Sequence, residues 1–143
     1  VILVGAPAAR ARALARWPAL AATRPLPAEM RPSVTGLALA GLPVVAFAGI
    51  GRPEKFFATL AALGARLVET VPFPDHHAYA PAQLRRLLRT ARGEGAMLVT
   101  TEKDAVRLPA EMRREVITVP VALAPEDWGP IDAALDRLTA SAA

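Results

Sequence analysis

The residues best suited to proton chemistry lie together in the stretch FPDHHAYAP, residues 73–81. His76 and His77 are the only histidines in the chain, and Asp75 precedes them. A histidine can take or relay a proton near neutral pH, and an adjacent carboxylate can fix its tautomer or balance its charge. A polar turn between two elements explains the same residues. A metal site is the third interpretation, but adjacent histidines lack the i, i+4 helical spacing and no third ligand is evident.

A second polar segment, GIGRPEK, covers residues 49–55 and contains Gly49, Gly51 and Arg52. It comes directly before a predicted helix, where backbone N–H groups without helical partners can hold an anion. The simpler interpretation is a tight strand-to-helix turn in which glycine adopts a positive φ.

A third polar segment, TTEKDA, covers residues 100–105 and offers hydroxyls, the carboxylates of Glu102 and Asp104, and Lys103, one of only two lysines. These groups could meet a ligand. Thr101 is equally suited to cap the following helix, with the neighbouring charges stabilising its first turn.

Strands and helices alternate along the chain. Short apolar runs predict strands at residues 1–5, 42–51, 65–73, 95–101 and 114–123, the first two of them buried. Helices are predicted over residues 8–17, 53–63 and 81–92, briefly from residue 102, and from residue 125 to about 140. Pro18 is expected to close the first helix, and residues 18–36 form a proline-rich connector with room for one edge strand.

This order predicts βαβ units and a single α/β domain over residues 1–143. We expect a mostly parallel sheet of about five strands with helices on both faces, a Rossmann-like three-layer sandwich. In a parallel sheet the carboxyl ends of the strands meet at one edge, where ligands usually bind. Residues 49–55, 73–77 and 100–105 each follow a strand directly, so we expect these three segments to crowd the same edge.

The overall composition favours a globular protein and narrows its partners. The 143 residues are 53% hydrophobic and 21% charged, with a net charge of +4 and no cysteine, which excludes disulfides and thiolate metal sites. No apolar run reaches the roughly 20 residues of a spanning helix. The basic charge is mostly arginine without interleaved aromatic residues, so no nucleic-acid partner is expected. The opening VILVG has no starting Met and no basic leader, which predicts a fragment or an excised domain.

Three stretches taken together, VVAFAGIGRPEKFFATLAALGA, FPDHHAYAPAQLRRL and AMLVTTEKDAVRL, resemble the C-terminal half of the tetraacyldisaccharide 4′-kinase family. The resemblance implies a lipid A-pathway enzyme that uses ATP and Mg²⁺ to phosphorylate the 4′-hydroxyl of a tetraacylated glucosamine disaccharide, forming lipid IVA. It also implies that the full-length protein works at the cytoplasmic face of the bacterial inner membrane. The P-loop, the Mg²⁺ ligands and a catalytic aspartate are implied to lie in an N-terminal lobe.

None of those N-terminal parts is expected in this chain, which contains no G-x-x-x-x-G-K-[ST] motif and is predicted to be inactive alone. The family's Asp-His motif matches Asp75 and His76. The resemblance thus implies that His76 works with the aspartate of the other lobe, while Asp75 orients its ring. Weaker candidates for lining the cleft are Gly49, Gly51, Arg52, His77, Glu102, Lys103 and Asp104.

Two details of the resemblance bear on neighbouring elements. Ala80 stands where a serine or threonine often precedes the helix, which weakens the N-cap without touching the chemistry. The arginine-rich face of helix 81–92 is compatible with contact to anionic lipid headgroups, although a solvated face is the simpler explanation. The alternative to the kinase is a freestanding module that binds a phosphorylated small molecule at the same sheet edge.

Overall fold

A computed structural model describes residues 1–33 and 38–140 of the chain. They form two compact units, one of residues 1–31 with 121–140 and the other of residues 32–33 with 38–120. In chain order the elements are β1 (Ile2–Val4), α1 (Pro7–Arg16), α2 (Pro18–Ala22), β2 (Leu26–Pro32), β3 (Pro43–Ala48), α3 (Pro53–Ala62), β4 (Arg66–Pro72), α4 (Pro81–Gly93), β5 (Met97–Thr101), α5 (Glu102–Ala105), α6 (Ala110–Arg113), β6 (Ile117–Val119), β7 (Val121–Pro125) and α7 (Gly129–Ala140).

The larger unit is built on a four-stranded parallel sheet with the order β4-β3-β5-β6. The apolar run of β3 occupies a central position, where both faces are covered. On one face Val44, Ala46 and Ala48 belong to a buried cluster with the apolar stripe of α3. On the other face Val45 and Phe47 belong to a cluster with the leucines of α4. The α/β class with helices on both faces of a parallel sheet is therefore confirmed.

The two long helices of this unit form where the sequence predicts them. Proline occupies the first turn of α3 and of α4, where its missing N–H costs no helical bond. Gly64 follows α3 with a φ of 81° and ends that helix as expected. Ala80 supplies no side-chain cap, but the Gln83 side chain accepts a 2.9 Å hydrogen bond from the Ala80 N–H. Half of a capping box is thereby retained.

The smaller unit contains a three-stranded sheet with the order β1-β2-β7. The strand at residues 1–5 was expected to be buried, and this is wrong: β1 is an edge strand, and Ile2 and Val4 are 43% and 50% exposed. The connector strand is found as β2, but in the middle of its sheet rather than at an edge. Pro18 opens α2 instead of only ending α1, because proline also suits the first position of a helix.

The strand predicted over residues 114–123 is divided in the structure. Pro120 separates β6 from β7, which belong to different sheets, because proline has no N–H to continue a ladder. The strands thus form two sheets, one of three strands and one of four, instead of the predicted single sheet of about five strands. The last helix begins at Gly129 and not near Pro125, which ends β7. Within the described residues, no helix is both long enough and apolar enough to cross a bilayer.

Candidate functional site

The three polar segments predicted to converge do meet at the carboxyl edge of the four-stranded sheet. The Gly49 N–H, just past β3, donates to Asp104 Oδ2 at 3.0 Å. The His76 N–H, past β4, donates to the Gly49 carbonyl at 3.1 Å. Lys103 Nζ in α5 lies 3.5 Å from Asp75 Oδ1. Because each contact joins residues that are far apart in the chain, the predicted convergence is confirmed.

Asp104 is the centre of the buried part of this edge, which we call the Asp104 network. Its side chain is 0% exposed. Besides the Gly49 N–H, its carboxylate accepts from Thr101 Oγ1 at 2.7 Å and from the Arg107 guanidinium at 3.4 Å. Thr101 Oγ1 in turn accepts from the Asp104 N–H at 3.1 Å, so the prediction that Thr101 caps this helix is confirmed. Asp104 therefore lies beneath the edge, not on its surface.

Gly49 is required by close approach rather than by backbone conformation. Neither Gly49 nor Gly51 has a positive φ, so the prediction that this turn uses glycine for that reason is wrong. A Cβ at Gly49 would lie 2.9 Å from Tyr79 Oη and 3.2 Å from Asp104 Oδ1. At Gly51 the nearest atom, Asp75 Oδ2, would be 3.7 Å away, an ordinary contact. Only the first glycine lets three chain segments pack together.

Asp75, His76 and Lys103 form the outer part of the site, which we call the exposed rim. Their side chains are 44%, 69% and 50% exposed. His76 has a φ of 59°, a left-handed conformation that few non-glycine residues adopt. Its N–H is held by the Gly49 carbonyl and by Asp75 Oδ1, at 3.1 and 3.0 Å. The backbone of His76 is thus fixed to β3 while its ring projects outward.

The electrostatics of the rim favour an ionised Asp75. Desolvation acts to raise the pKa of this carboxyl, but the nearby His76 and Lys103 side chains, with the His76 N–H, together lower it below its ordinary value. His76 Nε2 lies 3.8 Å from Asp75 Oδ2, beyond a direct hydrogen bond. The sequence left open whether Lys103 pairs with Glu102, with Asp104 or with a ligand. In the structure it pairs with Asp75.

The two adjacent histidines point into different surroundings. The His77 ring stacks on Phe73 with their centroids 4.6 Å apart, and its Nε2 lies 3.0 Å from Gln83 Oε1. It is half-buried, whereas the His76 ring is largely exposed. His77 therefore joins this loop to the start of α4, and His76 is the histidine that a ligand can reach.

Sequence reasoning missed two residues of the site. Arg107 Nη2 lies 3.0 Å from His76 Nδ1, and its Nη1 reaches Asp104 and the Gly49 carbonyl. The i, i+3 spacing from Asp104 was an available signal, since it places both side chains on one face of a helical turn. Tyr79 contributes a buried hydroxyl that has no hydrogen-bond partner in the described part of the chain. Burial, and after it the Asp104 carboxylate, raises the pKa of Tyr79 well above its usual range.

Two predicted cleft residues lie at the surface near the edge. Arg52 directly precedes α3 and is exposed, as is Glu102 at the start of α5. No group of three or more histidine, aspartate or glutamate side chains that could hold a metal ion occurs among residues 1–33 and 38–140. The charged side chains of Lys103 and Arg52 and the imidazole of His76 are exposed, so they can position hydroxyls, carboxylates or phosphates.

Comparisons with known proteins agree on one family. The family model described as Tetraacyldisaccharide-1-P 4'-kinase matches residues 1–140. A tetraacyldisaccharide 4'-kinase of Jannaschia sp. (strain CCS1) is 50% identical over 138 residues, covering 96% of this chain and 42% of that protein. One from Dinoroseobacter shibae is 48% identical over 139 residues, covering 96% and 41%. The chain thus spans about two fifths of the length of these curated relatives. No solved structure matches it.

Proposed function

The chain belongs to the tetraacyldisaccharide-1-P 4'-kinase family, and from this we propose that it is the C-terminal lobe of an ATP-dependent kinase. The full-length protein would transfer the γ-phosphate of ATP to the 4′-hydroxyl of a tetraacylated glucosamine disaccharide. Because that substrate is acylated, we place the reaction at the cytoplasmic face of the inner membrane. The N-terminal lobe would supply the P-loop and the Mg²⁺ ligands, and this chain would contribute side chains that position the reacting groups.

In this reaction the hydroxyl oxygen forms a bond to the γ-phosphorus while the bond from that phosphorus to the bridging oxygen of ADP breaks. The hydroxyl proton passes to a carboxylate, which we assign to the other lobe. Positioning and charge neutralisation do most of the catalytic work in such transfers. The proposed task of His76 is to orient that carboxylate, with Asp75 beside its ring. Arg52 and Lys103 are proposed to face the phosphates.

One observation carries this proposal: an exposed imidazole is presented at the sheet edge by a backbone that is fixed to β3. The left-handed φ of His76 is a conformation of the kind that clusters at functional sites, where the surrounding contacts maintain it. Its ring is 69% exposed and is not used by the core. A histidine that only stabilised the fold would need neither an exposed ring nor a left-handed backbone conformation.

The test is to replace His76 in the full-length enzyme. We expect His76→Asn to lower kcat by about 10²–10⁴, the contribution of acid–base catalysis, because the carboxylate that takes the proton would lose the group that orients it. Asparagine is chosen because it tolerates the left-handed conformation, so the backbone is disturbed less than by alanine. Thermal unfolding should be nearly unchanged, since the ring is exposed. A loss of stability without a loss of kcat would return His76 to a structural role.

His77 provides the matched comparison within the same loop. Because its ring packs on Phe73 and bonds to Gln83, His77→Ala should lower the melting temperature more than it lowers kcat. The 143-residue chain alone should neither hydrolyse ATP nor phosphorylate the disaccharide, because it has no phosphate-binding P-loop motif. Turnover by the pure chain would contradict the assignment of the remaining machinery to another lobe.

A further inference from the structure

Arg107 connects the Asp104 network with the exposed rim. Its Nη2 lies 3.0 Å from His76 Nδ1. Its Nη1 lies 3.4 Å from Asp104 Oδ1 and 3.4 Å from the Gly49 carbonyl oxygen. The Arg107 side chain is 23% exposed, and Asp104 behind it is fully buried. One planar group therefore contacts both the fixed interior and the projecting ring.

The chemistry of this contact decides which nitrogen of His76 carries the proton. A guanidinium only donates hydrogen bonds and does not lose its charge at accessible pH. The Nδ1 atom facing Arg107 must therefore accept with its lone pair, and the proton of the neutral ring then lies on Nε2. Nε2–H is left for the exposed side, where Asp75 Oδ2 is 3.8 Å away.

We propose that Arg107 is a positioning residue that holds the His76 ring in the Nε2–H tautomer, with Nδ1 turned inward. The inference rests on the proposed function, because it assumes that His76 takes part in the transfer. It also narrows that role. With Nδ1 bonded to Arg107 and Nε2 protonated, the ring has no lone pair available for the substrate's proton. His76 acts as a donor that orients a carboxylate or hydroxyl, not as the base.

The backbone contacts explain why a single arginine is sufficient for this. The His76 N–H is already held by the Gly49 carbonyl and by Asp75 Oδ1. Only the two side-chain torsions of the histidine remain to be set, and one bond to Nδ1 restricts both. Arg107 is itself restricted by the Asp104 carboxylate, which accepts from Gly49 and Thr101 as well. The position of the His76 ring is thus linked through Arg107 to the Asp104 network.

A double-mutant cycle in the full-length enzyme tests the proposal. Arg107→Ala should lower kcat by about 10²-fold, the loss expected when a reacting group is misplaced by roughly 1 Å, with KM for both substrates nearly unchanged. In a His76→Asn background the same change should have almost no further effect on kcat, because Arg107 acts through that ring. Arg107→Lys, which keeps the charge and one donor, should fall between. Arg113→Ala, an exposed arginine of α6 outside the site, is the control.

If the fold-losses of kcat in Arg107→Ala and His76→Asn multiply in the double variant, the inference is overturned, because Arg107 would then act independently of the His76 ring, directly on the substrate. An unchanged kcat in Arg107→Ala, beside a low kcat in His76→Asn, would overturn it and leave the proposed function standing. An unchanged kcat in His76→Asn would overturn the part that the proposed function gives to His76.

A measurement that does not use any Arg107 variant covers the case in which Arg107→Ala fails to fold. Ring-nitrogen NMR of the unmodified full-length enzyme, at a pH where the imidazole is neutral, should show His76 protonated at Nε2 with Nδ1 as an acceptor. Signals from His76 are identified by their disappearance in His76→Asn. A ring protonated at Nδ1 would overturn the proposal on its own.

Discussion

Asp104 and Asp75 lie at the same edge of the four-stranded sheet in opposite surroundings. Asp104 is 0% exposed, and its carboxylate accepts from three donors of its own chain. The Asp75 side chain is 44% exposed; among the described residues it accepts from the N–H of His76 and pairs with Lys103, and the edge of the His76 ring lies beside it. A carboxylate with its bonds satisfied internally holds the fold, whereas one facing solvent is available to a ligand. The Asp104 network therefore stabilises the fold, and the exposed rim is the part that a ligand can contact.

The largest effect should come from removing the buried carboxylate. In the 143-residue chain Asp104→Ala leaves the Gly49 N–H, the Thr101 hydroxyl and the Arg107 guanidinium without their acceptor. We expect the free energy of unfolding to fall by about 3–5 kcal/mol, as for a broken buried ion pair. Urea titration followed by circular dichroism measures it. Asp75→Ala is the matched control and should leave the urea midpoint near that of the unmodified chain. Equal urea midpoints for Asp104→Ala and Asp75→Ala would contradict the assignment of a structural role to Asp104 and not to Asp75.

Much of this edge could be predicted from the sequence because the signals are local. A continuous apolar run ending in glycine indicates a buried strand, and alternation with amphipathic helices indicates a parallel sheet. From parallel strands it follows that residues 49–55, 73–77 and 100–105 share an edge. The Thr101 cap is local as well, since it joins residues three apart.

The directions of the side chains were not predictable in this way. Arg107 and His76 are 31 residues apart, and their contact depends on how α5 is seated on β5. The family resemblance favours His76 over His77, but no local pattern in the sequence shows that the ring of His76 is exposed and that the ring of His77 is packed. The exposure of Ile2 and Val4 has the same origin: an apolar run predicts a strand, but strand order decides whether another strand or layer covers it. Pro120, which divides the predicted strand at 114–123, was a local signal that the prediction overlooked, as was the i, i+3 spacing of Asp104 and Arg107.

A smaller effect should follow from adding one methyl group to the Asp104 network. Gly49→Ala would place Cβ 2.9 Å from Tyr79 Oη and 3.2 Å from Asp104 Oδ1, so these groups must shift. We expect a loss of about 1–3 kcal/mol in the free energy of unfolding, typical of overpacking. Gly51→Ala is the control at the exposed rim, because its nearest neighbour would be 3.7 Å away. Removing the Tyr79 hydroxyl in Gly49→Ala/Tyr79→Phe should restore part of the loss. If the double variant is no more stable than Gly49→Ala, the strain does not come from the contact with the Tyr79 hydroxyl.

The smallest effect is a change of stability at alkaline pH that comes from the buried network alone. Tyr79 is the only tyrosine in the chain, so its ionisation can be followed by the absorbance of tyrosinate without assignment. Burial and the Asp104 carboxylate raise the pKa of Tyr79, so the folded chain keeps this proton at a pH where the unfolded chain, with a pKa of about 10, releases it. The unfolded state therefore gains stability as the pH rises above about 10.

The sign of this effect is tested by comparing the chain with Tyr79→Phe. At neutral pH the variant should be at least as stable, because the hydroxyl it loses is buried without a hydrogen-bond partner in the described part of the chain. Above about pH 10 the difference should grow in favour of phenylalanine, by at most about 1.4 kcal/mol for each pH unit. Urea midpoints at about pH 9 and about pH 11 measure it. A constant difference, or a tyrosinate transition near the ordinary pKa, would mean that Tyr79 reaches solvent and belongs with the exposed rim. In that case the Tyr79 side chain could move away from a methyl group at residue 49, and Gly49→Ala should lower the free energy of unfolding by less.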